Sequence, residues 1–147
     1  MESSALPATG SDDLTLQAFR GTPLVLYFYP RDNTPGCTRE GLAFRDLFAQ
    51  FQSLDCAIVG VSRDSLKTHQ NFSAKHGLVF PLIADCDEIL CRQFDVIREK
   101  NMYGRKVMGI ERSTFLIDQH GYIVREWRKV KVPGHAEQVL QAVRDLN

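Results

Sequence analysis

The stretch TPGCTRE, residues 34–40, places a cysteine directly behind Thr-Pro-Gly. Thr34 suits an N-cap and Pro35 the first helical position, so Cys37 is expected in the opening turn of a helix. Amide groups in that turn have no intrahelical acceptor and carry the positive end of the helix dipole. Both features favour thiolate over thiol. A free cysteine has a pKa of about 8.5, and helix N-termini or neighbouring cations lower it to about 3.5–7.5. Gly36 lets the backbone approach a ligand closely. Cys37 therefore reads as a nucleophile; the competing reading is a small buried hydrophobe at an ordinary helix start.

The surrounding residues narrow the chemistry. Glu40 stands three positions after Cys37 and Thr34 three before, so there is no C-x-x-C pair for local disulfide exchange. A cysteine hydrolase needs a histidine base near the thiol. His69, His76, His120 and His135 lie in no motif, and each reads as a helix or turn residue with a surface role. A single activated thiolate without a base suits attack on a peroxide. That reaction needs donors for the two oxygens and a cation for the charge that develops on the leaving oxygen. Of the other cysteines, Cys56 opens a strand, while Cys86 and Cys91 form a C-x-x-x-x-C pair. That pair is a weak metal signal without a second pair or a nearby histidine, and structural thiols are its plain alternative.

The elements that must position Cys37 follow from the hydrophobic pattern. Five apolar, β-prone runs are LVLYFY (24–29), CAIVGVS (56–62), FPLIA (80–84), STFLID (113–118) and YIVREWRKV (122–130). The first four lack alternation, as strands covered on both faces do. Between them, Phe44, Leu47, Phe48 and Phe51 mark one face of a helix over about residues 38–52. Caps and Gly77 bound a second helix over about 64–76, Glu88 to Phe94 suggests a third, and HAEQVLQAVRDL a fourth. His120-Gly121 reads as the tight link of a hairpin. The order β-α-β-α-β-α-β-β-α implies parallel pairs with right-handed crossovers and an antiparallel edge. The expected fold is an α/β, thioredoxin-like sandwich, a central mixed sheet flanked by helices. Ligands in such sheets sit beyond the carboxyl ends of the parallel strands, and the first strand ends at Tyr29-Pro30, just ahead of Cys37.

The 147 residues fit one domain spanning the chain, with residues 1–13 expected to be loose. A formal net charge of zero argues against nucleic acid or membrane as a main partner. No apolar run approaches the roughly 20 residues of a membrane span, and the N-terminus lacks the basic and apolar regions of a secretory signal. A cytoplasmic protein in a reducing compartment is expected, its four cysteines free rather than locked in disulfides.

YFYPRDNTPGCTRE, GVSRDSLKTHQNF, KHGLVFPLIAD and KNMYGRKVMGIERSTFLID, with the spacing between them, closely resemble the peroxiredoxins of the bacterioferritin comigratory protein, or peroxiredoxin Q, branch. The resemblance runs from about Leu14 to the C-terminus, and its most specific parts are Pro30, Thr34 and Cys37 and the downstream Arg112. It implies that Cys37 is the peroxidatic cysteine, that the Thr34 hydroxyl bonds the peroxide, that Pro30 shields the site, and that Arg112 holds the thiolate and polarises the O–O bond. It implies a thiol-dependent peroxidase for hydrogen peroxide and organic hydroperoxides, acting through a sulfenic acid, with no metal or organic cofactor. The usual positions of a resolving cysteine hold Leu42 and Ser73 here. The resolving step then falls to an external thiol, in a one-cysteine scheme, or to Cys86 or Cys91. The reductant is expected to be thioredoxin, glutaredoxin or a small thiol, and the chain a monomer. The loop 98–112 carries five basic and two acidic residues and reads as a solvated face. The alternative of another class is a redox sensor or interaction module in which Cys37 oxidation is the signal.

Overall fold

The computed structural model describes residues 5–10 and 12–146. Strands β1 (Leu24–Phe28), β2 (Ala57–Ser62), β3 (Leu82–Ala84), β6 (Ser113–Ile117) and β7 (Ile123–Arg128) form one mixed sheet in the order β3-β2-β1-β6-β7. β1 pairs parallel with β2 and β2 with β3, whereas β6 runs antiparallel to β1 and to β7. Helices α1 (Pro35–Ser53), α2 (Leu66–His76), α3 (Ile89–Gln93) and α4 (His135–Arg144) cover it.

The unbroken apolar run of β1 has a direct physical cause. Val25, Tyr27 and Tyr29 face one core, with Phe44 and Phe51 of α1, Phe72 of α2 and Val139 of α4. Leu24, Leu26 and Phe28 face a second core, with Leu90 and Cys91 of α3, Phe94 and Phe115. Neither face meets water, so neither can carry a polar alternation.

Three features depart from the sequence reading. The segment 98–112 is a second, two-stranded sheet, β4 (Ile97–Met102) against antiparallel β5 (Arg105–Ile110). Its turn, Tyr103 and Gly104 at φ 54° and 77°, has the doubly positive backbone of a tight hairpin. The N-terminal segment, expected loose over 1–13, is held at its described residues: Leu6 bridges Leu14, Ala8 bridges Ile83, and Leu6 and Ala8 are buried; residues 1–4 and 11 lie outside the described residues. His69 and His135 are core residues, 0% and 4% exposed, not surface ones.

Candidate active site

Cys37 sits at the third position of α1, buried at 2% exposure. Thr34 takes the N-cap position in extended conformation, but its side chain does not cap the helix. Its hydroxyl donates instead to the carbonyl of Arg31 at 2.8 Å. A capping side chain would have accepted from the second or third amide of the helix. Those amides belong to Gly36 and Cys37, and they are left to serve a ligand or the sulfur itself.

Arg112 reaches the same point from the other side of the sheet's centre. β6 pairs with β1 so that Ser113 lies opposite Phe28. The residue before Ser113 therefore falls beside the end of β1, where the chain turns through Pro30 toward Cys37. The Val130 amide donates to the Arg112 carbonyl at 3.1 Å and fixes the backbone there. The guanidinium then divides: Nη2 donates to Cys37 Sγ at 3.3 Å and Nη1 to Glu40 Oε1 at 2.6 Å. Gly36 makes room for it, since a Cβ at that position would stand 3.1 Å from Nη2.

Glu40 is 1% exposed, and burial pushes its carboxyl up to about 7 against the pull of Arg112. Its Oε1 is bonded to the arginine, while Oε2 has no hydrogen-bond partner among the described residues. Lys100 of β4 adds a second cation: burial first, then repulsion from Arg112, lowers its pKa, while the charge of Cys37 raises it. Its ammonium donates to the Ile110 carbonyl. Tyr27 lies beneath, stacked on Phe44 at 4.8 Å between ring centroids, its phenol pushed upward by burial and by Glu40.

Pro30, Thr34, Cys37 and Arg112 are thus gathered at the carboxyl end of β1. Pro30, half-buried, directly follows Tyr29 there. Cys86 shares that edge, just past β3 and two strands away, which is roughly 10 Å at the usual strand spacing. It is exposed, and its thiol donates to the Asp64 carbonyl at 3.6 Å. Cys91 is fully buried in the core on the opposite face of the sheet from the core that holds Cys37. Burial and Asp85 push its thiol far up. Cys56 is buried at the start of β2, its thiol pushed up to about 12 by burial.

Glu40 and Lys100 are contributors that sequence reasoning passed over. Glu40 lies one helical turn past Cys37, a spacing that itself signals a shared face. Lys100 depends on the hairpin. Neither buried histidine serves the sulfur: His135 Nε2 contacts Thr114 Oγ1 at 2.8 Å, and burial, then Arg112, lowers it to about 4. His69 contacts Asp32, with Nδ1 to Oδ2 at 2.6 Å. Asp32, Asp64 and His69 bring ligand atoms within 4.8 Å of one another. The 2.6 Å contact is nevertheless the length of a proton bridge. Two ligands on one tetrahedral zinc would stand roughly 3.3 Å apart, given bonds of about 2.0–2.1 Å.

A thiol held by a guanidinium, at open helix amides and beside a hydroxyl with free lone pairs, can attack an O–O bond and stabilise the leaving oxygen. Comparison with known proteins agrees with this chemistry. The family model AhpC/TSA matches residues 2–126. Peroxiredoxin Bcp of Xanthomonas campestris pv. campestris is 58% identical over 139 residues, 95% of this chain and 87% of that protein. A cysteine-to-serine mutant of Xanthomonas campestris peroxiredoxin Q superposes at a TM-score of 0.94 with 56% identity, over 98% of this chain and 92% of that one. A Xanthomonas campestris bacterioferritin comigratory protein, solved in trapped intermediate/ligand complexes that bear on its alkyl peroxide reduction activity, gives 0.93 and 56% over 97% and 90% of the two chains.

Proposed function

This chain belongs to the AhpC/TSA family, in its peroxiredoxin Bcp branch, and on that premise we propose that Cys37 is the thiolate with which it reduces hydroperoxides. The chain is a cysteine-based peroxidase that takes a peroxide substrate and a thiol reductant. The observation that supports Cys37 as its nucleophile is the 3.3 Å hydrogen bond from Arg112 Nη2 to the Cys37 sulfur.

The sulfur attacks the hydroxyl-bearing oxygen of the peroxide. The S–O bond forms as the O–O bond breaks, and its electron pair goes to the other oxygen. That oxygen takes a proton from solvent and leaves as water or an alcohol, and Cys37 becomes a sulfenic acid. Thr34 Oγ, its own proton given to Arg31, accepts from the peroxide O–H. Arg112 and the amides of Gly36 and Cys37 face the developing negative charge. Pro30 covers the site at the end of β1. Hydrogen peroxide and organic hydroperoxides fit this scheme equally, because only the O–OH group is engaged.

Resolution is proposed to come from an external thiol. It attacks the sulfenic sulfur, expels water and leaves a mixed disulfide that a second thiol reduces. Ser73, at one usual resolving position, uses its hydroxyl to donate to the Leu78 carbonyl at 3.2 Å. Cys86 is the internal alternative, supported by its exposure and its shared sheet edge, and Cys91 on the far face is the weaker one. Thioredoxin suits an internal disulfide; glutaredoxin or a small thiol suits a mixed one. No helix among the described residues is long and apolar enough to cross a membrane, and a monomeric cytoplasmic enzyme remains the reading.

The test is intact mass without reductant after one equivalent of hydrogen peroxide, with peptide mapping. The one-cysteine scheme gives one added oxygen on Cys37. A loss of two hydrogens mapping to Cys37 and Cys86 replaces it with an internal disulfide. Unchanged peroxide turnover in Cys37→Ser would refute the assignment of the nucleophile.

A further inference from the structure

Asp32, Asp64, Ser62 and His69 form a polar cluster against the Cys37 loop that the peroxide chemistry does not itself use. We infer that Asp64, backed by Ser62 and by the Asp32–His69 pair, is a positioning residue that holds the Thr34 hydroxyl as a hydrogen-bond acceptor for the peroxide. This rests on the reading that peroxide is received between Thr34 and Cys37.

The key element is the peptide unit joining Arg31 to Asp32. Its C=O accepts from Thr34 Oγ at 2.8 Å, and its N–H donates to Asp64 Oδ2 at 2.9 Å. A peptide unit is planar and rigid, so the carboxylate at one end fixes the direction of the carbonyl at the other. A threonine hydroxyl has one proton and two lone pairs. With the proton committed to Arg31, Thr34 Oγ presents only lone pairs, and a hydroperoxide carries a single O–H that needs an acceptor.

Asp64 is itself held in place. Its Oδ2 accepts from Ser62 Oγ at 2.6 Å, and its amide donates back to Ser62 Oγ at 3.1 Å. Asp32 locks the loop from beneath. Tyr29 OH donates to Asp32 Oδ1 at 2.6 Å, and His69 Nδ1 meets Asp32 Oδ2 at 2.6 Å. His69 Nε2 lies 3.0 Å from the Ile83 carbonyl, which can only accept, so Nε2 donates. The loop is thereby tied to α2 and β3, both side chains of the His69–Asp32 pair being 0% exposed. Asp64, Thr34 and Thr68 line one open depression of about 410 Å³. Asp64 thus stands beside Thr34 in that depression, one peptide unit removed from the hydroxyl it orients. Without its carboxylate the Asp32 amide loses its acceptor and the Arg31 carbonyl its fixed direction, so Thr34 can recover its proton as a donor and the peroxide O–H loses its partner.

The test compares two reactions of Cys37: the pre-steady-state peroxide step, and methylthiolation by methyl methanethiosulfonate followed by peptide mass. The second reagent brings no O–H and needs no acceptor. Asp64→Ala is expected to slow the peroxide step about 10- to 100-fold, as misplacement of a reacting group does, with methylthiolation changed less than about threefold. Asp64→Asn keeps a side-chain oxygen for the Asp32 amide and is expected within about threefold of wild type in both reactions. An unchanged peroxide step in Asp64→Ala overturns the inference, and so does a parallel loss in both reactions, which marks general loosening. If Asp64→Ala does not fold, Ser62→Ala takes its place: about three- to tenfold slowing of the peroxide step alone is expected, and an unchanged ratio of the two rates overturns the inference. Peroxide turnover that survives Cys37→Ser overturns the underlying reading instead, whatever the Asp64 variants do.

Discussion

Arg112 acts on two partners with different nitrogens, Nη2 on the Cys37 sulfur and Nη1 on Glu40. The forked guanidinium is what makes both contacts possible at once. Arg112→Ala is expected to slow the peroxide step about 10²- to 10³-fold, the loss typical of one preorganised donor. Stopped-flow rates check this; a rate that matches wild type means the arginine is misassigned. Glu40 makes a second prediction. Its buried carboxyl titrates near 7 rather than at the ordinary 4.5. The folded chain therefore holds a proton that the unfolded chain has lost between those values. Its stabilising contribution is complete below the unfolded value and fades as pH rises through about 7. Because the opposing trend of His135 offsets it in the wild type, Glu40→Gln is expected to turn nearly flat urea midpoints into ones that rise with pH between about 4.5 and 6.5. The placement of Cys37 at a helix start was legible in TPGC, whereas Thr34 and Arg112 were candidates only through the resemblance to the peroxiredoxins. Glu40 was not, because its role depends on burial, and a glutamate in a helix otherwise reads as solvated surface.

At the scale of elements, the site is made by two strand ends and one helix start. The helix, the first four strands and the final hairpin were legible because apolar runs and caps mark them. The β4–β5 hairpin was not. Its strands face water over most of their length, so they carry no apolar period, and Tyr103-Gly104 was the only turn signal available. The histidines failed for a related reason. His69 stands three residues before Phe72 on the buried side of α2, a periodic position that signals burial only once a polar partner such as Asp32 is known. Gly36 carries the prediction at this scale. Replacing glycine by alanine adds up to about 1 kcal/mol in a helix interior, and less is expected for Gly36 in the first turn of α1. Here the new Cβ would meet Arg112 Nη2 at 3.1 Å. Gly36→Ala is expected to keep or raise the melting temperature while lowering the peroxide rate at least tenfold. A variant as active as wild type would show that the guanidinium has room to retreat.

For the whole molecule, two buried groups pull stability in opposite directions with pH. His135, lowered to about 4 from an ordinary 6.5, must stay neutral in the folded chain. The unfolded chain takes up that proton first on acidification, so stability is complete above the unfolded value and is lost as pH falls toward 4. The loss is on the order of 3 kcal/mol for a shift of this size. The Glu40 contribution grows over much of the same interval, so the wild type is expected to look nearly flat there. In the Glu40→Gln background the acid loss stands alone, and adding His135→Gln removes it; urea titrations at pH 4, 5, 6 and 7 check both. That the central strands of the mixed five-stranded sheet are covered on both faces was readable from their lack of alternation. The anchoring of residues 5–10 was not, because single bridges such as Ala8 to Ile83 depend on partners far along the chain.

The 2% exposure of Cys37 also sets a race. If Cys37 is oxidised as proposed, its sulfur is still enclosed, and a rescuing thiol bulkier than the peroxide would need the helix start to open. A second oxidant molecule needs no such movement. The ratio of the opening rate to the rate of that second encounter therefore defines a threshold dose. Below it each oxidation is reversed; above it the enzyme is driven to the irreversible sulfinic state and withdraws itself from service.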